Sequence, residues 1–119
     1  MDATKARSVA ARLRVRHAMQ SGMNGIAIAT VREDLLTIAR ALESGKDSAI
    51  IKTECSERNY LFDYLCKQVE DAGIELVIGN KPGEVFLVDP DDEGLELRLE
   101  PGIVLDEEEE MGIDYGLGM

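Results

Sequence analysis

Glu84-Val85-Phe86-Leu87-Val88-Asp89-Pro90-Asp91-Asp92-Glu93-Gly94-Leu95-Glu96-Leu97-Arg98-Leu99-Glu100 carries a period of two. Leu95, Leu97 and Leu99 alternate with Glu96, Arg98 and Glu100. Successive side chains of a strand point to opposite faces, so this segment reads as a half-buried strand with one wet face. Residues 84 to 89 read as the strand before it, and residues 90 to 94 supply turn chemistry. Pro101-Gly102 marks another turn, and Ile103-Val104-Leu105 reads as a last short strand.

Upstream, the period changes to that of helices. Residues 4 to 20 place Ala6, Val9, Ala10, Leu13, Ala18 and Met19 at helical spacing, and Ser21-Gly22 closes the segment. Residues 25 to 31, Gly-Ile-Ala-Ile-Ala-Thr-Val, are short, partly β-branched and bounded by turn residues, which predicts a strand. Thr30 then reads as an N-cap with Glu33 at capping-box distance, opening a helix from 31 to 44 with Leu35, Ile38, Ala39 and Leu42 on one face and Gly45 behind it. Residues 48 to 53 read as a second strand. A third helix is predicted from 57 to 72, starting at Cys55 or Ser56 and closed by Gly73, and a third strand from 74 to 78. Helices alternating with strands point to a layered α/β sandwich with a mixed sheet. Residues 1 to 105 read as one domain, and residues 106 to 119 as an acidic tail expected to be flexible or to order on a partner.

The chain has 119 residues, 45% of them apolar and 31% charged, a globular composition. No run approaches the roughly 20 apolar residues of a membrane helix, and no apolar stretch follows the first residues as a secretory signal would require. Two cysteines, Cys55 and Cys66, and one histidine, His17, are too few for a disulfide framework or a conventional zinc site. The expected compartment is the reducing cytosol. The formal charge of −11 is unevenly spread. Lys5, Arg7, Arg12, Arg14 and Arg16 face only Asp2 in the first 16 residues, whereas thirteen acids from Glu84 onward face Arg98 alone. A basic head and an acidic end suggest two surfaces with different partners, against the plainer reading of a solvated acidic face.

Catalytic patterns are sparse. The strand-to-helix turns contain no glycine, so a phosphate-cradling loop is not expected. Cys55 follows a strand and precedes a helix, where the dipole favours a thiolate, but Glu54 and Glu57 oppose that shift. Carboxylate pairs such as Glu33-Asp34 sit where capping alone favours acids. Neither metal nor cofactor is expected. Lys5, Arg12 and Arg16, at steps of seven and four, can share one side of the first helix with Arg14 turned away, a row suited to phosphate oxygens.

The linear order also carries a resemblance. Ala18-Met19-Gln20-Ser21-Gly22 is followed by Ala39-Arg40-Ala41-Leu42-Glu43-Ser44-Gly45-Lys46, an apolar strand, Glu54-Cys55-Ser56-Glu57, a helix with Tyr60, Leu61 and Leu65-Cys66, and Gly73-Ile74-Glu75-Leu76-Val77-Ile78. Gly102-Ile103-Val104-Leu105 and Asp114-Tyr115-Gly116 follow later. This resembles the kink-turn-binding ribosomal protein superfamily, and within it the eukaryotic small-subunit ribosomal protein twelve family. The resemblance implies a three-layer α-β-α sandwich and a non-catalytic structural constituent of the small (40S) ribosomal subunit. It would sit in the cytoplasm on the ribosome, packing on rRNA and a neighbouring ribosomal protein in the head or beak, with no small-molecule substrate and no membrane. Arg12, Arg16 and Arg32 are then expected on phosphates, with Lys5 and Arg7 in an ordering arm. The superfamily's Gly-x-Asn-Glu element corresponds to Thr30-Val31-Arg32-Glu33, which retains only the Glu. A free-standing acidic interaction module or RNA-binding regulator is the alternative, and a thiol enzyme at Cys55 a third reading.

Overall fold

The computed structural model describes residues 3–20, 22, 25–54, 59–81 and 83–101. Helix α1 spans Ala3–Met19, α2 Ile26–Glu43 and α3 Tyr60–Asp71. The strands are β1 (Ser48–Ile51), β2 (Glu75–Ile78), β3 (Val85–Asp89) and β4 (Asp92–Pro101). They form one mixed sheet in the order β1-β4-β3-β2, with β1 parallel to β4 and the other pairs antiparallel. The expected 103–105 strand and the 106–119 tail lie outside the described residues.

The alternating segment behaves as its period predicts. Leu95, Leu97 and Leu99 are buried, Glu96 and Arg98 exposed. The strand is longer than expected, because the turn tightens to Asp89–Asp92 and β4 begins at Asp92. Asp89 accepts from the Asp91 N–H at 2.9 Å, and Asp92 from the Gly94 N–H at 2.8 Å. These short side-chain loops let a charged stretch turn without a longer connection.

The predicted strand at 25–31 is a correction: Ile26 to Val31 form the opening of α2. The run is short and apolar, and such runs do not distinguish strand from buried helix by period alone. Its two alanines favour helix, and Val31 continues without a break into the buried row Leu35, Ile38, Ala39 and Leu42. Thr30 is therefore inside the helix, and the N-cap position is Gly25 at φ 125°, which uses no side-chain cap. Helix α3 is corrected at its start as well: Asn59 is the N-cap, its side chain accepting from the Leu61 N–H at 2.8 Å. The glycine stops of α2 and α3 hold, whereas Gly22 beyond α1 is not left-handed. Past α2, Gly45 at φ 71° lets Lys46 N–H reach the Ala41 carbonyl at 3.0 Å. Past α3, Gly73 at φ 84° lets Ile74 N–H reach the Val69 carbonyl at 3.2 Å. Both are the bond pattern of a left-handed glycine terminus.

All three helices contact one another and share one apolar core with the inner face of the sheet. Leu13, Leu35, Ile38, Leu65, Leu87 and Leu97 are among its fully buried side chains. Burying each such side chain contributes about 2 kcal/mol relative to leaving it in water. The outer face is different. Val77, Phe86 and Arg98 stand in register across three strands, the first two half-buried and Arg98 exposed. Ile50 on that face is 56% exposed. The described residues therefore make two layers, helices on one side of a sheet, and not the expected three. A helix on the outer face would have to cover Glu96 and Arg98.

Candidate functional site

The cationic row of α1 forms, but it turns inward. Lys5 Nζ lies 2.5 Å from Asp89 and 3.7 Å from Asp92 at the β3–β4 turn. The hydrogen bond to Asp89 raises the Lys5 pKa above its ordinary value and, reciprocally, lowers that of Asp89. Arg12 donates to the Ala72 carbonyl at 3.0 Å, at the open end of α3. Arg16 donates twice to Gln68 Oε1, at 3.0 and 2.8 Å, and lies 3.4 Å from Asp71. Arg14, on another side of the helix, holds Glu43 through two bonds of 2.7 and 2.8 Å. Arg32, now within α2, donates to the Gln20 carbonyl at 3.0 Å. Arg7 is exposed and makes no hydrogen bond or ion pair with the described residues. Of the five residues expected to bind RNA, Lys5, Arg12, Arg16 and Arg32 thus join elements within the molecule, and Arg7 alone of them faces water unpartnered among the described residues. Residues 30–33, placed by resemblance at a strand-to-helix turn, lie inside α2.

Where the three helices meet, these bonds become a buried network. Gln20 and Gln68 are 5% and 4% exposed. Gln68 Oε1 accepts from Arg16 and also from Gln20 Nε2 at 3.2 Å, while the Tyr64 hydroxyl donates to Gln20 Oε1. Every polar atom buried here without a partner would cost free energy, so the members hold one another in place. Sequence reading missed Gln68. Its signal is a polar residue standing between Leu65 and Val69 on the buried side of α3.

The Glu33-Asp34 pair does not converge. Glu33 is exposed and bonded to Lys52 Nζ at 2.6 Å. Asp34 is buried and accepts from Lys52 N–H at 2.8 Å, Thr53 N–H at 2.9 Å and the Thr53 hydroxyl at 2.5 Å. Burial raises its pKa, and the three donors oppose that shift. Asp34 therefore ties α2 to the exit of β1. Among the described residues no group of three or more His, Cys, Asp or Glu side chains could hold a metal ion. Burial, aided by Glu70 and Asp63, pushes the Cys66 thiol up to about 11, which keeps it protonated at neutral pH. Cys55 lies outside the described residues.

One surface gathers groups that the interior does not use. A cleft of about 420 Å³ lies between the end of α3, the start of β2 and the β3–β4 turn. Glu70, Glu75 and Asp91 line it. All three are exposed, and none is ion-paired within the described residues. Asp71, 3.4 Å from Arg16, and Asp92, 3.7 Å from Lys5, are exposed at the end of α3 and the start of β4.

The chain matches no protein-family model, no curated protein and no solved structure. No helix of the described residues is long and apolar enough to cross a membrane.

Proposed function

We propose that the chain is a non-catalytic acidic interaction module that receives a basic segment of a partner in the cleft between α3, β2 and the β3–β4 turn. The observation that carries this reading is the contrast in how charges are used. The α1 cations other than Arg7 are spent holding helices to one another and to the turn, whereas Glu70, Glu75 and Asp91 line a concave surface and form no ion pair within the described residues. The overall charge of −11 would steer a basic partner toward it and speed encounter.

The test is binding of a fluorescein-labelled oligolysine peptide to the full chain, read by anisotropy. A triple variant, Glu70→Lys, Glu75→Lys and Asp91→Lys, should lose at least about tenfold in affinity. A control triple, Asp47→Lys, Asp63→Lys and Glu96→Lys, changes net charge equally but leaves the cleft intact and should lose far less. Equal losses in both would reduce the cleft to bulk charge and remove this reading.

A second reading, a constituent of the small ribosomal subunit, is favoured by one observation: Arg7 on α1 is exposed and unpartnered among the described residues. Cosedimentation of the chain with small subunits in a gradient from its own cells supports it, and a peak at the top of the gradient opposes it. Arg7→Glu is the informative variant. Glu at 12 or 16 would report first on helix packing, because those side chains bond α3.

A further inference from the structure

We infer that the free edge of β1, together with the adjoining wall of α2, receives an extended, carboxylate-bearing segment of another protein as an added strand. The inference is independent of the acidic cleft, which lies by β2 at the other edge of the sheet.

Within the described residues β1 pairs with β4 on one side and with no strand on the other. The Arg98 N–H donates to the Asp47 carbonyl at 3.0 Å, and Ser48 and Ile50 stand opposite Arg98 and Glu100. In a parallel ladder the backbone groups of alternate residues turn to alternate sides. Asp47, Ala49 and Ile51 therefore face β4, and Ser48 and Ile50 turn N–H and C=O to the free side. That side closes beyond Ile51, where Asp34 takes the Lys52 N–H at 2.8 Å. An exposed edge of this kind is a template for another strand.

The edge does not stand open on a flat surface. A cleft of about 440 Å³ follows it, with Thr37, Arg40 and Ala41 of α2 and its C-cap Ser44 as one wall and Ile50 on the other. Lys46 stands among the lining residues. The side chains of Arg40 and Lys46 are exposed and make no hydrogen bond or ion pair within the described residues. The lining carboxylate, Glu100, is held by Arg98 at 2.6 Å. So the groove presents two unpaired cations on a molecule of net charge −11. Ile50, 56% exposed, offers an apolar contact between them and the strand edge. An occupant complementary to this surface is extended, bears carboxylates and has a small aliphatic residue between them. At a Debye length of about 8 Å the far acids of the chain are screened, and the neighbouring carboxylates Glu43 and Glu100 are already held by Arg14 and Arg98.

The probe is a fluorescein-labelled heptapeptide, Glu-Val-Glu-Val-Glu-Val-Glu, titrated with the full chain, with a Ser-Val alternating peptide as reference. The acidic peptide should bind more tightly. Arg40→Glu with Lys46→Glu should weaken it about tenfold, and the cleft triple at 70, 75 and 91 should leave it unchanged. Ile50→Pro removes the outward N–H and should abolish binding, whereas Ile50→Ala keeps the backbone donor and should lose less. Proline is tolerated on the free side of an edge strand, and circular dichroism checks that the variant folds. If it does not, the charge-reversed pair decides. Unchanged affinity in the charge-reversed pair overturns the inference. So does binding only after Glu107, Glu108, Glu109 and Glu110 become Gln, which assigns the groove to the chain's own acidic run. So does concentration-dependent dimerisation lost on the same substitutions, which assigns it to a second copy.

Discussion

Asp34 and Asp89 are two carboxylates placed in opposite circumstances. Asp34 is buried with three donors, and removing it strands two backbone N–H groups and a hydroxyl. Asp34→Ala should cost about 2–4 kcal/mol and Thr53→Val about 1 kcal/mol in chemical denaturation. The pH dependence has opposite signs at the two sites. Asp34 has a raised folded pKa, so its contribution to stability declines as pH rises from 3.8 through the folded value. Asp89 has a lowered folded pKa, so its contribution is present above 3.8 and is lost as pH falls through the folded value. Asp89→Asn should therefore flatten the acid limb of the stability profile, and Asp34→Asn should steepen it. Parallel profiles for wild type and both variants would refute this. Cys66 gives a separate test. With its thiol near 11, alkylation by iodoacetamide in a Cys55→Ala background should keep rising about tenfold per pH unit to pH 10, without levelling near 9.

At the level of elements, α1 is held by stitches as much as by its apolar stripe. Gln68→Ala removes the acceptor shared by Arg16 and Gln20 and should cost about 1–3 kcal/mol. Leu35→Ala in the centre of α2 should cost about 2–5 kcal/mol through the cavity it leaves. Thermal melts compare the two directly. Helix α1, the body of α3, the alternation of β4 and the glycine stops past α2 and α3 were legible because each has a local cause: period or left-handed backbone. The start of α2 was not, since Gly25-Ile26-Ala27-Ile28-Ala29 satisfies strand and helix rules alike and only tertiary packing decides between them. The inward turn of Lys5, Arg12 and Arg16 was half legible. Their common side of α1 follows from spacing, but spacing does not say whether water or α3 lies opposite. The acidic cleft was unreadable for the same reason, because Glu70, Glu75 and Asp91 come from three elements brought together only by the fold.

At the scale of the molecule, the two-layer plan of the described residues leaves one sheet face without a helix among them, with Phe86 and Val88 half-buried beside Glu96 and Arg98. Phe86→Asp on that face should be far milder than Leu87→Asp on the inner face, which forces a charge into the core; proteolysis of the native state would separate them. The parallel pairing of β1 with β4 has a consequence for synthesis. Ser48–Ile51 is made early, yet its only strand neighbour among the described residues is 98–101, near their far end. The α1–α2 pair can assemble while translation is under way, but β1 waits for its partner until β4 emerges. Long-range closure of this type raises contact order and slows the final step. A nascent chain halted before residue 92 should thus be cut by protease around β1 while its first two helices resist.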